Sequence, residues 1–173
     1  KDKLKNIKKY IFNKGIPILY TITKYFEFTS DLTQSLNNIA YMNSTCKTVS
    51  SHIRKKLNKK NEYELGEDLI CREYTKLKDG TLNVNFQFKI TEIYDDELLL
   101  EGKKRQEYLV PLKLIRTNFI YAHCSTCHSC QGSSISDKVT IFDYKNYFLS
   151  RNWMWVSVTR ATDLDNVKFY KYD

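Results

Sequence analysis

Three of the five cysteines and two of the three histidines in this 173-residue chain fall between His123 and Cys130. Such a cluster first suggests a metal. The spacing Cys124-x2-Cys127-x2-Cys130 opens a ferredoxin-type run, but no fourth cysteine follows, so Cys46 or Cys71 would have to be recruited from elsewhere. Zinc sites usually take two separated ligand pairs, each on its own turn, and here every candidate sits in one short stretch. In an extended strand, residues three apart also point to opposite faces, which separates Cys124 from Cys127. The cysteines are therefore expected as small hydrophobes packed beside a sheet, with no metal site. A metal-binding regulatory domain is the third-ranked alternative.

The residues among and after those cysteines carry more chemistry. Thr126 to Ser134 has the form T-x-H-x-x-Q-G-x-S, supplying Thr126, His128, Gln131, Gly132 and Ser134 between two apolar strands. Downstream, Trp155-Val156-Ser157-Val158-Thr159-Arg160-Ala161 places one arginine at the end of an apolar helix. Upstream, a short apolar strand runs into Asn43-Ser44-Thr45 at the start of a helix. Backbone amides and small hydroxyls at such a helix start can hold a phosphate. The glycine-rich GxxxxGK[ST] loop is absent, as is an Asp-Glu pair after a buried strand, so the usual triphosphate cradle and magnesium site are missing from the chain.

The elements that must position these residues follow from periodicity. Residues 1–14 carry Leu4, Ile7, Ile11 and Phe12 at helical spacing between lysines, and Ile16-Pro17 ends that helix. Residues 18–28 are expected as a second helix, because Pro17 suits a first turn, and Thr29-Ser30-Asp31 as the start of another turn or two. Residues 39–42 read as a buried strand, Asn43-Ser44 as a cap, and 45–57 as a helix burying Val49, Ile53 and Leu57 and closing on Arg54-Lys55-Lys56. Strands are expected at 68–74, 82–93, 97–101 and 106–110, separated by Asp79-Gly80, Asp95-Asp96 and Glu101-Gly102. Short antiparallel strands at that density describe a small β-barrel. Beyond it, 119–125 and 138–143 read as strands, 128–132 as a tight loop, 147–159 as a helix and 167–170 as a last strand. Strand–helix alternation on both sides of the barrel implies an α/β, mostly parallel sheet flanked by helices, with the antiparallel unit inserted. The expected division is 1–61, an inserted 62–115, and 116–173.

Composition bounds the partners. A formal charge of +8 and a pI near 9.1 favour an anionic partner such as nucleic acid, although a Lys/Asn-rich bias alone would also make the surface basic. No secretory signal is recognisable and the longest apolar run is too short to cross a bilayer, so no membrane partner is expected. Clustered, odd-numbered cysteines fit a reducing intracellular compartment, nuclear, cytoplasmic or a viral replication site. The chain begins at Lys1 rather than Met, from which a longer parent protein is expected.

Taken together, the segments resemble superfamily-one helicases of the RecD/Dda/Pif group. Thr126 to Ser134 is similar to motif V, written T-x-H-K-S-Q-G-x-T/S, and Trp155 to Ala161 to motif VI, Y-V-A-L-S/T-R-A, followed by Leu164-Asp165-Asn166-Val167. The stretch from Ile39 through Asn43-Ser44-Thr45 to Leu57 resembles the motif-IV region, and Gly66-Glu67-Asp68 the opening of the family's inserted barrel. The resemblance covers roughly 24–170 and implies the second of two RecA-like motor domains. It makes Arg160 the arginine finger, sets Gln131, Gly132 and Ser134 along the ATP cleft, and points Asn43, Ser44, Thr45, Thr126 and His128 at single-stranded DNA. ATP and Mg2+ would act in the full-length enzyme, held mainly by the N-terminal motor domain of the same protein and not tightly by this chain alone. Ser129 stands where the family has Lys, Met42 where some members have Thr or Arg, and Trp155 where Tyr is usual. A non-catalytic nucleic-acid-binding module is the alternative class.

Overall fold

Helix α1 (Asp2–Phe12) turns Ile7 and Ile11 inward and its lysines out, as the apolar spacing dictates. The computed structural model in which this is seen describes residues 2–78, 80–129 and 134–172. Pro17 precedes helix α2 (Ile18–Tyr25), which stops short of the expected residue 28. The next residues form strand β1 (Glu27–Thr29). Tertiary packing wins here: Phe26 and Phe28 meet Phe169 at ring-centroid distances of 5.2 and 6.3 Å, which draws the backbone out along a sheet edge. The extra helical turn expected at Thr29-Ser30-Asp31 does not form either. The Asp31 carboxylate accepts from the Thr33 amide and hydroxyl, both at 2.8 Å, an Asx-type turn that competes with helix.

Strand β2 (Asn37–Ala40) lies two residues earlier than expected and leads into helix α3 (Asn43–Lys56), where Asn43 and Ser44 are helical residues rather than the cap. Leu57, expected on the buried face, is the exposed residue that ends the helix. The middle of the chain supplies β3 (Asp68–Cys71), β4 (Thr75–Leu77), β5 (Gly80–Leu82), β6 (Gln87–Ile93), β7 (Glu97–Glu101) and β8 (Glu107–Pro111), then helix α4 (Leu112–Asn118). The stretch expected as one strand over 119–125 is two, β9 (Phe119–Tyr121) and β10 (Cys124–Thr126). Last come β11 (Val139–Ile141), helix α5 (Arg151–Val158) and β12 (Val167–Tyr170).

Five strands form an all-parallel sheet in the order β1-β12-β11-β2-β10. Its central strands are buried on both sides, which parallel sheets require. Side-chain alternation divides them between two cores. Ile39, Val139, Ile141 and Phe169 face α1, α2 and α5, where Ile11, Ile22, Trp153 and Met154 wait. Ala40, Cys124 and Phe142 face α3 through Cys46, Val49 and Ile53. The fold is α/β, a mostly parallel sheet with helices on both faces and antiparallel strands inserted. The antiparallel part is a five-stranded sheet ordered β8-β7-β6-β3-β9, with β8 and β9 at its edges, and a separate β4-β5 ribbon, packed over Leu69, Phe88, Leu98, Val110 and Ile115.

The split between β9 and β10 joins the two sheets. Phe119 to Tyr121 pairs with β3, and after a turn at Ala122-His123 the same run pairs with β2. Beside this junction, Arg54 of α3 makes a two-pronged bond to Glu67, with Nε to Oε1 at 2.8 Å and a terminal nitrogen to Oε2 at 3.1 Å. Its guanidinium lies 4.3 Å from the centre of the Tyr121 ring. Both side chains of that ion pair are nearly excluded from water, at 13% and 3% exposure, so their pairing fixes α3 against the antiparallel unit. Among the described residues, no helix is long and apolar enough to cross a membrane.

Candidate functional site

Because the strands of the first sheet are parallel, β2, β10, β11 and β12 all end on one edge. In open parallel sheets ligands collect at that edge. Asp143 stands there, directly after β11, with φ at +59°, a left-handed conformation that aspartate tolerates better than most residues. Its carboxylate accepts from the Tyr41 amide at 3.1 Å, the Met42 amide at 2.9 Å and the Thr45 hydroxyl at 2.9 Å. The Tyr172 hydroxyl, beyond β12, donates to the same carboxylate at 3.1 Å and accepts from the Asp143 amide at 2.6 Å. Burial pushes the Tyr172 phenol well above its ordinary range, so it stays protonated and donates. Met42 begins α3 without any side-chain cap of its own. The positive end of that helix is answered instead by a carboxylate about a hundred residues away in sequence.

This changes how the expected DNA-facing residues of α3 are disposed. Thr45 is turned inward onto Asp143. Asn43 accepts from the Arg72 guanidinium at 2.8 Å, and Ser44 lies exposed on the first turn. Nothing local in the sequence marks Asp143 or Tyr172, because their partners arrive from distant strands.

The turn after β10 is tight. The Ser129 amide donates to the Thr126 carbonyl at 2.9 Å, and the two hydroxyls lie 3.0 Å apart. Thr126 and Ser129 are buried by this pairing, whereas His128 projects into solvent from the tip. Ser129 thus occupies, as a buried residue, the place where the resemblance has a lysine. Cys124 packs in the α3 core and Cys127 in the opposite one, the separation expected from residues three apart. Among the described residues no group of three His, Cys, Asp or Glu is arranged to hold a metal. Gln131 and Gly132, together with Cys130, lie outside the described residues; Ser134 is exposed.

Arg160 sits at the other end of the sheet. Helix α5 starts at Arg151 rather than 147, because the Ser150 hydroxyl caps the Trp153 amide at 3.0 Å. It then runs back to the amino-terminal side of β12, where Arg160 is half-buried and its Nε donates to the Val156 carbonyl at 3.3 Å. The Arg160 carbonyl accepts from the Ile135 amide at 2.8 Å, and the Thr162 amide donates back to the Ile135 carbonyl at 2.9 Å. Ile135 and Ala161 form a parallel bridge. Ile135 is therefore held beside Arg160 at the edge opposite His128. The described contact there is between Ile135, the residue after Ser134, and Arg160-Ala161, while Thr126 and His128 stay at the carboxyl edge.

Solved structures share this arrangement. A complex of two coordinating Pif1 helicases on forked double-stranded DNA superposes with a TM-score of 0.65 at 13% identity, over 98% of this chain and 46% of that one. Bacteroides Pif1 bound to single-stranded DNA gives 0.62 at 12% identity, over 98% and 49%. The chain has the Pif1 helicase fold. Pif1 helicase from Candida albicans, at a TM-score of 0.60 and 9% identity, covers all of this chain and 54% of its own. This chain spans about half the length of these Pif1 structures. No protein-family model matches it, and no curated protein does.

On this Pif1-type framework two further surfaces stand out. One is a cavity of about 370 Å3 between α3 and β9, bordered by Lys47, Tyr63, Arg72, Arg116 and Tyr121. Arg116 is held there by both oxygens of Glu62, at 2.9 and 2.7 Å. The other is a cavity of about 260 Å3 at the carboxyl edge, with Tyr41, His128, Phe148, Asn152 and Trp153 around it. Tyr147 and Phe148 fall in the stretch expected as a helix over 147–159. They lie in a loop ahead of it, and their exposures are 94% and 78%.

Proposed function

We propose that this chain is the second motor domain of an ATP-dependent DNA helicase. It binds single-stranded DNA along the carboxyl edge of its parallel sheet. At the opposite edge it lends Arg160 to a triphosphate held mainly by the N-terminal motor domain of the same protein. The observation that carries this reading is the anchoring of Ile135 to the Arg160 carbonyl. One continuous segment thereby joins the DNA-side residues Thr126 and His128 to the nucleotide-side arginine. A displacement at one end has a short covalent route to the other, which a motor requires.

The chemistry asked of Arg160 is electrostatic. A guanidinium brought to the γ-phosphate neutralises charge that spreads over the phosphoryl oxygens in the transition state, and its planar fork matches them better than an ammonium would. Gln131, Gly132 and Ser134 would line the same cleft. On the other edge, Ser44, Asn43 and His128 offer contacts to the phosphodiester backbone, which position a strand without reading its sequence. Thr45 and Thr126, both turned inward, act by holding the helix start and the turn in shape.

A magnesium ion does not fit the carboxylates this chain presents. Asp143 is consumed by its four donors at the carboxyl edge. Near Arg160, Asp163 accepts from the Asp165 amide at 3.0 Å, and Asp165 pairs with Lys3. The metal and the phosphate cradle accordingly belong to the partner domain, and this chain alone does not turn over ATP.

The test is Arg160→Ala in the longer protein. ATPase activity should fall by about a thousandfold, the scale on which arginine fingers act, with affinity for single-stranded DNA nearly unchanged. Unchanged ATPase activity sinks the assignment. The inward rotation of Thr45 and Thr126 favours a second reading, a non-catalytic nucleic-acid-binding module, and the same assay separates the two because such a module has no activity to lose.

A further inference from the structure

Two adjacent aromatic rings held out in water need a reason. Tyr147 and Phe148 expose 94% and 78% of their surface, the two highest values for large apolar side chains among the described residues. They are not there through slackness of the loop. The Asn146 side chain accepts from the Phe148 amide at 3.0 Å, its carbonyl accepts from the Leu149 amide at 3.1 Å, and its own amide donates to the Asp143 carbonyl at 2.9 Å. The turn is thus fastened to the same residue that clamps α3. The rings meet edge to face at 5.5 Å, with an interplanar angle of 83°.

Place and chemistry narrow what could cover them. The loop leaves the carboxyl end of β11, on the edge that also carries the exposed His128 and Ser44. Phe148 lines the cavity of about 260 Å3 together with Tyr41, Trp153 and Val156, and the exposed His128 and Asn152 border it. A hollow with apolar aromatic walls and a polar rim matches a flat group with apolar faces and polar edges. A nucleobase is such a group, and its attached phosphates suit a chain of net charge +8.

We propose that Tyr147 and Phe148 are a base-stacking platform. A strand crossing the carboxyl edge lays one base against these rings and seats it in the cavity beside His128 and Asn152. This rests on the single-stranded DNA reading given above and adds to it a contact with bases rather than with the backbone. Because every base has a stacking face, the contact is tolerant of sequence.

The experiment compares two strands of equal length, oligo-dT and an abasic oligomer with the same phosphates, binding to the 173-residue chain by fluorescence anisotropy at one salt concentration. The double variant Y147S/F148S is the probe. Both side chains are exposed, so its thermal unfolding should match the parent's. The variant should bind oligo-dT about tenfold more weakly, the scale of losing one or two stacked bases, and bind the abasic strand as the parent does. An undiminished affinity for oligo-dT, or an equal loss on both strands, overturns the platform and leaves the DNA reading standing. If the parent chain binds neither strand, the DNA reading falls and the platform with it. Unchanged DNA binding, joined to loss of ATPase activity in the longer protein, would assign the rings to an interdomain contact instead.

Discussion

Asp143→Asn and Asp143→Ala test the clamp at the start of α3. In the native chain one carboxylate accepts from two backbone amides, the Thr45 hydroxyl and the Tyr172 hydroxyl. Loss of a helix cap costs about 0.5–2 kcal/mol, and a hydrogen bond to a charged group contributes about 1.5–3 kcal/mol net. These contacts share one acceptor and are not additive, so about 3 kcal/mol is the expected loss for Ala. Part of that, about 1 kcal/mol, comes from forcing a non-glycine Cβ without a compensating side-chain bond into the left-handed conformation. Asparagine tolerates that conformation and keeps one acceptor oxygen, so Asn should fall between the parent and Ala. For a domain of this size about 2–4 °C accompanies each kcal/mol, which puts the Ala variant roughly 6–12 °C below the parent. Thermal unfolding followed by circular dichroism measures it. A cycle with Tyr172→Phe then isolates the pairwise share, since that variant deletes only the hydroxyl that donates to Asp143 and accepts from its amide. An Ala variant within about 0.5 kcal/mol of the parent, the range of ordinary surface changes, would refute the clamp. So would a cycle with no coupling.

The junction between the two sheets gives a second expectation. Glu67→Ala strands Arg54 in a site 13% exposed and should cost about 3–5 kcal/mol by urea unfolding, whereas the double change R54M/E67L should recover most of it; a loss below about 1 kcal/mol would show the pair to be dispensable. His123 gives a pH dependence. Burial holds its imidazole neutral and its pKa below the ordinary value near 6.5, so the unfolded chain takes up a proton that the folded chain refuses. The stability it contributes is present above about pH 6.5 and is lost as the pH falls through that value towards the lower folded one. Melting temperatures between pH 7 and 5.5 should therefore decline less steeply in His123→Leu than in the parent, and parallel declines would contradict the argument.

What the sequence by itself determined is short-ranged. The strands Glu97–Glu101 and Val167–Tyr170 and the helix beginning near Asn43 are visible because periodicity and local turn residues act over a few positions. The segments around Thr126-Cys127-His128 and Thr159-Arg160 stand out for the same reason, as residue types at fixed spacing. Tertiary structure decided whatever depended on a partner far along the chain. Phe26 and Phe28 leave a helical pattern for an edge strand because Phe169 is there to meet them. The run 119–125 divides because β3 offers hydrogen bonds to its first half and β2 to its second. Thr45, at a helix start whose amides and hydroxyls suit a phosphate, is already occupied by Asp143. Tyr147 and Phe148, expected within a helix, are held in a turn by Asn146 and face outward. In each case the local preference amounts to about 1 kcal/mol or less. Burying a ring or satisfying a carboxylate outweighs it once the fold brings the partner within reach.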